Sequence, residues 1–488
     1  MNISSSTKNI TADHNKGFLI NKIFLSIFSI ACAGLSIIGI PIIFAQERGN
    51  QKSAIEEILS NIKSYQKEIE TIRCKQFKSD VLTRVQSMKD FRSFVKNELD
   101  NEMPPEKIQK IQMSLIKLGL LPENYDLRKG YENLLLTQAG AYYDPLTKTI
   151  YLLKIDSFTP EQLKENLIHE LCHALQDQFF DLTNINKKAS SSDDSATAVR
   201  FLYEGEATYV MTLYSLRPIL GEQMQSGINN PFISQIFSRM KFMTRDMLLN
   251  QAEAQMSYLS DKYPEIKAAF KGLEEAPSYL FWYLHAPYVH GLSSISDIIS
   301  YNITNQKPDF QGGWQNIDLA YQNPPVSTEQ IIHPRKLLIE RDDPTPVNEP
   351  NLPPQWEIIF SDTLGEFGFW TLFSTFELPS FREASDGWDG DKYFLIKNTK
   401  SNLYGLCLST VWDSSNDAIE SFKAYQSVIG HKYKGWQKEK NTTKNLLIWT
   451  NPDKNSAVFA SIEGNKWITI EDIPYDELEL WKNSAKKD

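Results

Sequence analysis

Thr159-Pro160-Glu161-Gln162 marks the start of a helix whose contents leave the fold few options. Thr159 can accept at the N-cap, Pro160 suits the first helical position, and Gln162 completes a capping box. Leu163, Leu167, Leu171 and Ala174 recur every three to four residues. That spacing gives the helix an apolar face and carries it to about Gln178. Within it stands His169-Glu170-Leu171-Cys172-His173. Histidines four apart project from one helical face, so their imidazoles can grip a single ion. The pattern needs a further ligand from another element, which the fold must bring across that face.

Two nitrogens on one face suit Zn2+. Glu170, next to the first ligand, can take a proton from water acidified by the metal, as a general base does. The chemistry this predicts is zinc-dependent hydrolysis of a carbonyl compound. Glu204-Gly205-Glu206-Ala207-Thr208 lies on a second predicted helix, about Ser195 to Ser215. Two positions apart on a helix, Glu204 and Glu206 point about 200° away from each other, so only one can face the metal. Glu204 shares its face with Thr197, Phe201, Ala207, Thr208 and Met211. Small neighbours there let two helices approach closely, so Glu204 is the preferred ligand and Glu206 the alternative. Cys172 points about 100° away from His173 and reads as a small buried residue.

The string HELCHALQDQFFDL followed by EGEAT resembles a bacterial family of HExxH zinc peptidases of the gluzincin type. Further blocks resemble the same family: LGLLPENYDL near Gly119, AYYDPLTKTIYLL, PYVHGL from Pro287, GGW from Gly312, PPVSTEQIIHP from Pro324 and GWDGDKY from Gly387. Together they cover roughly Leu118 to Asp413. The resemblance implies a zinc peptidase with His169, His173 and Glu204 on the metal and Glu170 as base. It departs from thermolysin-like gluzincins at Thr208, where they place an Asp that steadies the first histidine. That role falls to Thr208 itself or to another acid, with Asp177 the candidate. Zincins also use a Tyr or His to stabilise the oxyanion. Tyr209, His285, His290 and His333 are the candidates, and His333 is preferred because it closes a short helix capped by Ser327 and Gln330.

The surroundings fit an α+β chain. Two apolar-aromatic runs flank Asp144-Pro145 and predict an edge hairpin, Ala141–Tyr143 with Thr149–Leu153. Either strand could pair with a substrate backbone. Asn184 to Asp194 reads as a polar loop, and Trp388, Asp389 and Asp391 as a structural turn rather than a calcium loop. Residues 23–45 carry no charge over 23 positions after a lysine flank, which suits an uncleaved membrane anchor or a cleaved signal peptide. Either places the rest outside the cytoplasm.

The predicted organisation is a cytoplasmic tail 1–22, a membrane or signal segment 23–45, a helical stalk or N-terminal helical region 46–117, a mostly helical zincin domain 118–343, a proline-rich linker 344–354 and an α+β domain 355–488. A net charge of −10 without Lys/Arg-rich runs excludes a nucleic-acid partner. Four scattered cysteines with no CxxC pair exclude a disulfide framework. The expected partners are a peptide or protein substrate and, through the N-terminal helix, the membrane. The reading of another class is a non-catalytic, zinc-stabilised scaffold or an envelope-binding protein.

Overall fold

In the computed structural model, residues 51–138, 140–155, 158–220, 231–260, 264–302, 310–439 and 445–485 are described. The run 23–45 lies outside them. Among the described residues no helix is long and apolar enough to cross a membrane.

Helices Gln51–Ser60 and α1 (Ile62–Arg73) pack on the helix that carries the two histidines. Ile69 and Ile72 of α1 are buried there, so this region lies against the body of the molecule. Strand β1 (Leu82–Ser87) follows, where the sequence reads as helical. Its apolar residues Leu82 and Val85 sit three apart and are exposed, so no alternation announces a strand. Pairing decides instead: β1 runs parallel to β3 (Thr149–Lys154), and β3 is also antiparallel to β2 (Ala141–Asp144). The hairpin forms as read, turning where Asp144 accepts from the Leu146 amide and the Thr147 hydroxyl. The sheet order is β1-β3-β2. Strand β3 is therefore central and saturated on both edges, and only β2 retains a free edge among the two hairpin strands.

Helix α2 (Pro160–Phe180) begins on the predicted capping box: the Thr159 hydroxyl accepts from the Gln162 amide, and Gln162 Oε1 accepts from the Thr159 amide. The periodicity suggests one buried face. In the structure every residue from Glu165 to Asp177 is buried, because β2, β3, α1 and a second long helix surround it. The expected polar loop after it is largely a helix, Leu182–Lys188, started by Asp181, whose carboxylate accepts from the Asn184 amide. Helix α3 (Asp193–Leu220) then crosses α2 and α4 (Ser278–Ser300). Gly205 of α3 meets Gly291 of α4 so closely that a Cβ on Gly205 would overlap the Gly291 carbonyl. Inside α4, Pro287 lacks an amide hydrogen and leaves the Tyr283 carbonyl without its helical donor. Arg200 Nη2, from α3, donates to that oxygen at 3.2 Å.

Residues 344–354 form neither helix nor strand. Beyond them β4 (Trp356–Asp362), α5 (Gly365–Thr375), β5 (Trp388–Asn398), β6 (Tyr404–Trp412), α6 (Ser415–Lys432), β7 (Gln437–Lys438), β8 (Leu446–Asn451), β9 (Ser456–Glu463) and β10 (Lys466–Ile473) build a seven-stranded antiparallel sheet with its helices. Its order is β4-β5-β6-β10-β9-β8-β7. The chain is α+β, and its main apolar core runs unbroken from Ile55 to Trp467, across the proline-rich stretch. Asp389 accepts from Thr345 and Asp391 from the Leu364 and Gly365 amides. Trp388, Asp389 and Asp391, read as a structural turn, instead lie in strand β5.

Candidate metal centre

One turn separates His169 from His173 on α2, and the crossing of α3 brings Glu204 opposite them. The two Nε2 atoms are 3.0 Å apart. Glu204 Oε2 lies 3.1 Å from His169 Nε2 and 3.2 Å from His173 Nε2. These three atoms form a nearly equilateral triangle. Tetrahedral zinc with nitrogen and oxygen bonds of 2.0–2.1 Å separates its ligand atoms by roughly 3.3 Å. The triangle therefore has the dimensions of one face of such a site, and its two-imidazole, one-carboxylate donor set suits that ion. Among the described residues, the second Glu204 oxygen is buried without a hydrogen-bond partner.

The electrostatics describe the same cation-shaped space. Burial opposes charge on all three side chains. Against it, the His173 ring and hydrogen bonds from both histidines hold the Glu204 carboxyl down at about 2. Burial opposes a charge on His173 too, but Glu204 outweighs it and lifts the ring to about 9. Burial, together with the positive ring beside it, holds His169 neutral with a value of about 4. Glu204 thus favours positive charge beside it, and burial opposes it.

The ring of His173 is oriented from behind. Its Nδ1 is 2.8 Å from Gln176 Oε1. Gln176 Nε2 donates to the Tyr203 carbonyl and to Glu206 Oε2, each at 2.9 Å. Tyr321 donates to the same Glu206 oxygen at 2.6 Å. Buried Arg73 closes the chain with an ion pair to Glu206 and a second to Asp318 Oδ1 at 2.7 Å. Trp314 lies under its guanidinium at 4.5 Å. A partner that accepts at Nδ1 fixes the tautomer and leaves the Nε2 lone pair facing the metal space.

Glu206, the alternative ligand, is thus a support two steps behind His173. Asp177 does not take the orienting role proposed for it. It turns toward the hairpin, accepting from Tyr143 and Lys148 at 2.6 Å each and from the Leu182 amide at 3.1 Å. One residue earlier on α2, Gln176 steadies the second histidine, His173, rather than the first. Thr208 does not take it either: its hydroxyl is buried without a hydrogen-bond partner among the described residues. Glu170 is fully buried beside His169, and Cys172 is buried as read, its thiol pushed up by that burial.

None of the four oxyanion candidates contacts the triangle. Tyr209 packs edge-on against Phe237 and Trp314. His285 is tied to the Phe281 carbonyl at 2.7 Å. His290 stands among Trp282, Phe367 and Trp370. His333, the preferred one, pairs with Glu366, 3.0 Å from both carboxylate oxygens. Two tyrosines missed by the sequence reading stand nearer. Tyr288 lies 6.0 Å from His169 and Tyr203 5.8 Å from His173, ring centre to ring centre. Tyr288 belongs to the PYVHGL block, two residues before His290.

A domain of unknown function (DUF8575) matches residues 357–478, which is the C-terminal sheet and its helices and contains none of the triangle. No curated protein and no solved structure matches the chain.

Proposed function

We propose that the chain is a zinc-dependent hydrolase of peptide bonds. The observation that carries this reading is the triangle of His169 Nε2, His173 Nε2 and Glu204 Oε2, three residues from two helices placed at the spacing of zinc ligands. Zinc held there would polarise a substrate carbonyl and acidify water. Glu170 would accept the proton of the attacking water and deliver it to the leaving amine. Gln176, Glu206 and Arg73 would keep His173 in its ligating tautomer. Tyr288, whose ring stands 6.0 Å from that of His169, would steady negative charge on the substrate side.

A second reading rests on burial. His169, Glu170 and His173 are 0% exposed and Glu204 1%, and closed zinc sites are more often structural than catalytic. A metal-stabilised scaffold would look like this, as would a peptidase in a shut state. Glu170 separates the two, because a scaffold has no need of a buried carboxylate that does not hold the ion. Replacing Glu170 by Gln should abolish hydrolysis of unfolded casein by the full-length protein while metal stays bound. Metal retention with no hydrolysis by the wild type under any opening condition would favour the scaffold. The apolar run 23–45 supports export or anchoring, so the site would work outside the cytoplasm. A protease added outside intact cells should reach residues 51–488.

A further inference from the structure

A second histidine–carboxylate cluster lies apart from the triangle, on the wall of a cavity of about 320 Å3. Four separate segments meet there. Helix α4 supplies His290, His333 closes the short helix Thr328–Ile332, α5 supplies Glu366, and the loop before β5 supplies Asp386. His333 Nε2 is 3.0 Å from each Glu366 oxygen and 3.5 Å from Asp386 Oδ1. One nitrogen and two carboxylate oxygens, one from each residue, all lie within 4.8 Å of one another. His290 adds an independent sign. It is 6% exposed and lines the same cavity, and its Nε2 meets no hydrogen-bond partner among the described residues. Burial, with Arg382 and Lys241 acting across the cavity, holds that ring down at about 3. It is therefore the neutral imidazole, the form that coordinates metals or accepts from a ligand.

We propose that His333, Glu366 and Asp386 form a second divalent-cation site, with His290 facing the ion or a small ligand bound to it in the cavity. A histidine nitrogen in the set favours a transition metal of the zinc or manganese kind over calcium or magnesium, which take oxygen alone. Another acidic cluster in the protein, Glu329, Asp342 and Asp413, is already served: Lys336 Nζ reaches all three carboxylates within 3.0 Å. At Glu366 and Asp386 the only cationic partner among the described residues is the His333 ring itself, and a metal can take the place of its proton. The ligands come from both sides of residues 344–354, so an ion here would clasp the C-terminal sheet region to the helices of the first site.

The test is metal content and Zn2+ titration of the full-length protein, with Zn2+ alone as the probe. The wild type should hold about two ions per chain. His333→Gln and Asp386→Asn should each hold one fewer. Asp386 has a 69% exposed side chain, so its replacement leaves the fold intact and guards against a His333 variant that simply misfolds. Zinc should also raise the melting temperature of Glu204→Gln, and this rise should vanish in Glu204→Gln/Asp386→Asn. The same number of ions in the wild type and both variants would overturn the proposal. Failure of the first site reads out separately, as no loss of zinc in Glu204→Gln.

Discussion

Gln176 is the residue whose role follows most directly from geometry, since it joins His173 to Glu206 with one side chain. Gln176→Leu should keep the fold and weaken zinc binding on the order of 10- to 100-fold, measured by competition with a chromogenic chelator. Unchanged affinity would mean that His173 needs no support. Arg73 has a different kind of importance. Its removal leaves Glu206 charged and buried, so Arg73→Met should destabilise the protein by about 3–5 kcal/mol in denaturant unfolding. Arg73→Met/Glu206→Gln should recover much of that loss. These two residues also mark how far the sequence could be read. The histidines, Glu170 and Glu204 were legible because helical spacing alone puts them on facing surfaces. Gln176 was within reach, three positions from His173 on the same helix, whereas the reading looked only for an acid to steady the first histidine. Arg73 was out of reach, because nothing local ties it to a glutamate 133 residues away.

At the scale of elements, the centre depends on how closely α3 approaches its neighbours. Gly205 sits next to the candidate ligand Glu204 and against Gly291. A methyl at either glycine forces α3 and α4 apart, and α3 carries Glu204 with it. Gly205→Ala should therefore cost roughly 1–3 kcal/mol through overpacking and weaken zinc binding as well. Gly272→Ala is the control: its helix position faces open space, so the change should be neutral or stabilise by about 0.4–1 kcal/mol. Thermal melts of the two variants with and without zinc check both claims. The long elements were legible from caps and apolar spacing, as with Thr159 and Gln162 on α2 and the apolar-aromatic runs of β2 and β3. Strand β1 was not, since Leu82 and Val85 are exposed and only its partner β3 makes it a strand. The helix Leu182–Lys188 was hidden by its polar composition, which Asp181 turns into a capped helix.

For the whole molecule, one core joins helices and sheet, so groups buried anywhere act on a common stability. His285 is buried, stacked on Phe281 at 4.4 Å. Burial above all, with Arg245 nearby, lowers its value to about 4 from the ordinary 6.5. The folded state therefore resists a proton that the unfolded chain accepts. Its contribution is fully present above pH 6.5 and is lost as pH falls from there toward 4, by about 2 kcal/mol at pH 5. His285→Phe should flatten the fall in stability between pH 7 and 5, read from urea midpoints. An unchanged profile would show that His285 titrates normally. Proline clustering at 344–354 reads as a linker between two domains, and the apolar side chains on both sides of it pack into one core. Composition marks where the chain loses regular structure; it carries no information about which surfaces then meet.

His169, His173 and Glu204 are proposed to hold zinc for a reaction in which Glu170 moves the proton. The direct measurement is zinc content and casein hydrolysis on the same samples of full-length wild type, Glu170→Gln and Glu204→Ala. Glu204→Ala should lose the zinc of this site, whereas Glu170→Gln should keep it. Glu170→Gln should hydrolyse casein on the order of 10^3-fold more slowly than the wild type. Equal hydrolysis by wild type and Glu170→Gln, or zinc content untouched by Glu204→Ala, would contradict it.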